Sequence, residues 1–127
     1  MGKREEYVEQ LKSTEDWEAF LMAHSGLPGP RGNLELAQAA ADAGSKRQFK
    51  AWLRYDEARA STNTPGEFVA FCGVVGHGRL LAEGETSALR LLRKWASDGR
   101  WRLREGVAMA MQRYGENPYH RFGMSDD

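Results

Sequence analysis

Apolar residues in this chain recur at spacings of three and four, and nowhere do they alternate with polar residues for long enough to make a strand. That pattern restricts the chain to amphipathic helices, each of which must bury one face. The clearest case runs from Ser97 to Tyr114 and is closed by Gly115. Asp98 opens it, and Leu103, Val107, Ala110, Met111 and Tyr114 form an apolar stripe beneath a dense arginine surface. Glycine then supplies the stop.

The same logic divides the rest of the chain. Tyr7, Val8 and Leu11 mark a first helix among charges. Ser13 or Thr14 can cap a second, with Trp17, Phe20, Leu21 and His24 on one face. Gly26-Leu27-Pro28-Gly29-Pro30-Arg31-Gly32 is a loop, because proline removes donors and glycine raises backbone entropy. Asn33 is set to cap Leu34–Ala43, with Gly44 as its end, and Ser45 restarts a helix carrying Phe49, Trp52 and Leu53.

Thr64-Pro65-Gly66-Glu67 is the strongest start signal: a hydroxyl cap, a proline whose missing donor costs nothing, and a glutamate able to reach back. Phe68, Phe71, Cys72 and Val75 follow at helical spacing, with Gly73 and Gly76 expected to allow close helix approach, Gly76–Gly78 as a kink or turn and Gly84 as a later stop. Thr86 opens a helix with Ala88, Leu91, Leu92, Trp95 and Ala96 inward and Arg90, Arg93, Lys94 and Ser97 outward. The expectation is an all-α fold of antiparallel helical hairpins in one domain, 1–115, followed by an irregular tail, 116–127.

Charge and cysteine content narrow the function. Eighteen Lys and Arg balance eighteen Asp and Glu, so no whole-molecule field steers polyanions. The single cysteine, Cys72, fits a reducing, cytoplasmic setting, and no apolar run approaches the roughly 20 residues of a membrane span. The N-terminal residues Met1 to Glu6 have no hydrophobic signal core behind them.

From Leu89 to Gly115 the chain resembles a HEAT repeat, the helical hairpin that stacks into curved solenoids. In that family an aspartate opens the second helix, and an aliphatic residue and an arginine follow five and six positions on. Asp98, Leu103 and Arg104 match them, with Ala108 and Ala110 as the small residues of the packing face. The resemblance implies a short HEAT-like α-solenoid acting as a non-catalytic binding or assembly module. It also implies a structural polar-ladder role for Asp98 and Arg104.

A protein is the first expected partner. Nucleic acid is the alternative, as in HEAT-like proteins of DNA alkylation repair. The Ser-Trp-Asp type motif of those glycosylases is absent, and Asp16-Trp17 has the order reversed, so no catalytic residue carries over. The last helix is not polar all round, so either the tail covers it through Tyr119 and Phe122 or a second subunit does, as a homodimer.

The candidate binding residues are Arg90, Arg93, Arg100 and Arg102 for polar contacts, Trp101 as an anchor, and Arg31 on the Pro-Gly-Pro loop. Against this stands a solvated arginine face with Arg104 paired to Asp98 and Trp101 in the core. Gly73–Gly78 lacks the spacing of a nucleotide loop. His24, His77 and His120 share no ligand spacing, and Cys72 reads as a small buried hydrophobe, so no metal or cofactor is expected.

Overall fold

The computed structural model describes residues 2–116, and among them every regular element is an α-helix. In chain order these are α1 (Lys3–Lys12), α2 (Trp17–Ala23), α3 (Leu34–Ala43), α4 (Lys46–Trp52), α5 (Pro65–Ala82), α6 (Ala88–Trp95) and α7 (Trp101–Glu116). Most boundaries follow the capping chemistry of the sequence. Asn33 caps α3 by accepting from the Leu36 amide, Ser45 and Gln48 form a full capping box on α4, and Thr64 accepts from the Glu67 amide on α5.

Four local expectations change. Asp16, rather than Ser13 or Thr14, caps α2 by accepting from the Ala19 amide. Glu67 reaches back past the cap residue to the Asn63 amide, 2.8 Å away. α5 continues unbroken through Gly76–Gly78 and ends in a Schellman turn. There Gly84 sits at φ +101° and the Glu85 amide donates to the Leu80 carbonyl at 2.9 Å. α7 begins at Trp101, three residues later than Asp98, and passes through Gly115 to Glu116.

α5 is the centre of the molecule. Every residue from Glu67 to Gly78 is buried, along with Leu80 and Leu81. α2, α3, α4, α6 and α7 all pack on it, while α1 packs on α3. A helix this apolar all round is stable only when enclosed. Its glycines make the enclosure tight. A Cβ on Gly76 would clash with the ring of Phe49 from α4, and one on Gly78 would lie 2.5 Å from the Cα of Ala110 in α7. These close approaches are why the expected kink is absent: the glycines serve neighbouring helices rather than a turn. In a stacked solenoid each repeat meets only its neighbours, whereas here one helix meets five others.

Contacts along α5 fix the directions of its neighbours. Glu67 meets Arg102, Phe71 and Val74 flank Gly106, and Gly78 meets Ala110, so α5 and α7 run parallel. Leu53 lies at Gly73 and Phe49 at Gly76, so α4 runs antiparallel to α5. α6 packs on both α5 and α7. No helix among the described residues is long and apolar enough to cross a membrane.

Candidate functional site

The arginines expected together on one surface separate into two groups. Arg100 is fully buried, at 0% exposure, and is not available to a partner. Its Nε and Nη2 donate to the two Asp98 carboxylate oxygens at 2.9 and 3.1 Å, and its Nη1 donates to the carbonyls of Tyr55 and Ala60 at 3.0 and 2.7 Å. The physical reason is the irregular segment between α4 and α5, whose carbonyls have no helical ladder to join and need fixed donors.

Arg102, at 6% exposure, is likewise internal. Its Nη1 donates to Glu67 at 3.1 Å and its Nη2 to the Gly29 carbonyl at 3.0 Å. The Gly29 amide donates to Asn63 Oδ1 at 3.0 Å, and the Asn63 amide donates to Glu67. Arg102, Glu67, Asn63 and Gly29 therefore close a circuit that ties the Pro-Gly-Pro loop to the starts of α5 and α7. Asp98 and Arg104 do meet, but through the Asp98 carbonyl, which accepts from Arg104 Nη1 at 2.8 Å. Burial alone would raise the Asp98 carboxyl; Arg100, through side chain and backbone amide, and Arg104 hold it below its ordinary value.

Arg90 and Arg93 of α6 are exposed, as is Arg31 on its loop. Trp101 is 46% exposed, with the Arg102 guanidinium 4.6 Å from its ring centroid, and so stands outside the core. Cys72 is inaccessible, and burial pushes its thiol well above the ordinary value. His77 is buried too. Its Nδ1 lies 2.7 Å from the Gly73 carbonyl, and burial pulls its pKa below the usual value.

The feature the arginine reading missed is an apolar groove of about 520 Å³ between α6 and α7. α7 carries two apolar stripes. Leu103, Gly106 and Ala110 are buried, the glycine and alanine directly against α5. Val107, Met111 and Tyr114 instead form one wall of the groove, and Leu89 and Leu92 of α6, with Ala96 just past its end, form the other. α6 has eight residues against sixteen in α7 and does not span this second stripe, in which Met111 is 38% exposed. Arg93 lies on the rim, and Arg90 joins it in an adjoining recess with Thr86 and Ser87. The sequence signal was present in the 107/111/114 spacing, which reads as core until the glycine–alanine stripe is seen to take the core position.

Residues 117–127, including the Tyr119 and Phe122 expected to cover this end, lie outside the described residues. No protein-family model, curated protein or solved structure matches this chain.

Proposed function

We propose that this chain is a non-catalytic binding module that takes an apolar, acid-flanked helical segment of a protein partner between α6 and α7. The observation that supports it is the apolar groove in which Val107 and the exposed Met111 face Leu89 and Leu92, with Arg90 and Arg93 along one side. Methionine and arginine are enriched at interfaces, and an apolar groove with few polar groups is the usual form of a docking site. Its walls are helices whose backbone groups are already bonded, so they offer side chains rather than a free strand edge. A third helix seats on such a pair by ridges entering grooves. We read α6–α7 as a HEAT-type hairpin set against a central helix, with Arg104 of α7 donating to the Asp98 carbonyl in its turn.

A displayed random-peptide library panned on the wild-type protein, and counter-selected on a Leu89→Glu/Met111→Glu variant, tests this. The expected winners carry apolar residues at helical spacing with acidic neighbours. Enrichment of basic or non-amphipathic sequences, or none that depends on the groove, removes the reading. A second copy of the chain in the groove would show as a concentration-dependent dimer in sedimentation that Met111→Glu abolishes.

A further inference from the structure

The polar end of the groove has a composition of its own. Thr86, Arg90 and Arg93 follow one another at spacings of four and three, so they form one row from the turn before α6 along the helix, with Leu89 beside them. With Ser87 they line the recess that adjoins the groove, and Thr86, Leu89 and Arg93 line both cavities. No acidic residue lines either one.

Most arginines of the chain are engaged with a carboxylate, as Arg4 and Arg113 are with Asp42 and Arg79 is with Glu83. Arg90 and Arg93 are exposed and make no hydrogen bond or ion pair among the described residues. Arg31 and Arg47 are in the same state, but Arg31 is the lone cation of its loop and Arg47 shares its recess with Glu15, Asp16 and Glu18. The acid closest in sequence to the row is Glu85, which is held by Lys46 of α4 and accepts from the Ser87 hydroxyl at 3.0 Å. Among the described residues, only at the start of α6 do two unpaired guanidinium groups share a recess with no acid in its lining.

A single carboxylate brings one charge and two oxygens, enough for one guanidinium in a bidentate pair. Two guanidinium groups and a hydroxyl on one recess are matched instead by about −1.5 to −2 charges on three acceptor oxygens, which is a phosphate monoester. We propose that the Thr86–Arg90–Arg93 row binds a phosphoserine or phosphothreonine carried by the segment that enters the groove. The inference rests on the docking reading above and names the modification that regulates it. Because Thr86, Leu89 and Arg93 belong to both cavities, a phosphoryl group about one turn from the segment's apolar residues reaches the arginines while those residues enter the groove.

The row is tested apart from the groove. The isotope-labelled full chain is titrated with N-acetyl-phosphoserine amide, N-acetyl-glutamate amide and inorganic phosphate, and backbone amide and arginine Nε signals are followed by NMR. The phosphoserine derivative should move the signals of Thr86, Ser87, Arg90 and Arg93 with a dissociation constant of about 1–10 mM, and bind about tenfold more tightly than the glutamate derivative. Arg90→Gln/Arg93→Gln should lose that preference. Arg31→Gln and the groove variant Met111→Ser should each keep the affinity within about a factor of two. No shift at the row, equal binding of the glutamate derivative, or an unchanged response in the double variant overturns the proposal. Tighter binding of inorganic phosphate would make the recess a free-anion site, and preference for phosphatidic-acid vesicles a lipid-headgroup site; either result overturns it as well. Groove-dependent peptides without a phosphoserine preference remove this inference and leave the docking reading. Phosphoserine binding without groove-dependent peptides removes the docking reading and leaves the row as a phosphoresidue site.

Discussion

Arg100→Ala separates an internal staple from a surface contact more sharply than any other change in the molecule. The wild-type guanidinium is wholly buried and makes five hydrogen bonds of 3.1 Å or less when its backbone amide, 2.8 Å from Asp98, is included. Alanine keeps the amide bond and loses the other four. It leaves the Tyr55 and Ala60 carbonyls without their donor and Asp98 without its bidentate partner. Each buried group stranded in this way costs about 1–3 kcal/mol, and removing one member of a buried ion pair costs about 3–5 kcal/mol in all. Asp98 is partly solvated, at 12% side-chain exposure, so the lower half of that range applies, about 3–4 kcal/mol.

For a domain between the usual small and mid-sized classes this lowers Tm by about 9–20 °C. Urea denaturation followed by circular dichroism, with calorimetry for Tm, measures it. Arg90→Ala is the matched exposed control and should stay within about 0.5 kcal/mol of wild type. An Asp98→Ala/Arg100→Ala double variant should lose less than the sum of the singles, because the stranded carboxylate is gone. If Arg100→Ala melts within 3 °C of wild type, the burial argument fails and Arg100 returns to the list of surface candidates.

The acid limb and the helix contact give two further expectations. Arg4 and Arg113 overcome burial to hold the Asp42 carboxyl below its ordinary value of 3.8, as Arg100 and Arg104 do for Asp98. Both groups therefore contribute stability in full above about pH 5 and lose it as pH falls through their folded-state values. Thermal melts at descending pH should show that loss reduced in Asp42→Asn, and an unchanged slope would count against the ion-pair assignment. His77 acts higher: its folded pKa lies below 6.5, so the unfolded chain binds the proton first and stability should begin to fall below that value. His77→Gln should flatten the melt-against-pH curve there, in a region where Lys46, Lys50 and Glu85 also bear on the site. Gly78→Ala raises helix propensity by about 1 kcal/mol but drives a methyl into the Ala110 backbone, so net destabilisation of at least about 1 kcal/mol is expected. A stabilised variant in urea titration would show that α5 and α7 can separate at no cost.

Most of the local structure was legible from residue chemistry. Asn33, Ser45 and Thr64 act within three residues of themselves, so their capping roles need no knowledge of the fold. Gly73 and Gly76 read as close-approach glycines and pack as such against α4, but the bend expected over Gly76–Gly78 is absent because Gly78 serves Ala110, 32 positions away. The arginines failed as a group for the same reason. Arg100 and Arg93 look alike in sequence, and only the carbonyls of Tyr55 and Ala60 distinguish them. Trp101 shows the converse case: beside an arginine it reads equally as anchor or core, and its 46% exposure decides for the surface. The α6–α7 groove was half visible as an apolar excess on the last helix, but its second wall came from α6.

The circuit of Arg102, Glu67, Asn63 and Gly29 has a consequence for how the chain can be divided. It joins a loop before α3 to a helix start 73 positions later, and Arg100 makes a second such tie across 40 and 45 positions. A cut at residues 57–59 therefore leaves the Gly29 and Tyr55 carbonyls on one piece and their donors Arg102 and Arg100 on the other, and parts α2, α3 and α4 from α5. Neither piece is a smaller version of the whole. Two such fragments, expressed separately, have complementary reasons to find each other. The exposed stretch around Glu57–Arg59, already pinned on both sides by Arg100, is the natural seam for a split protein that reassembles on mixing.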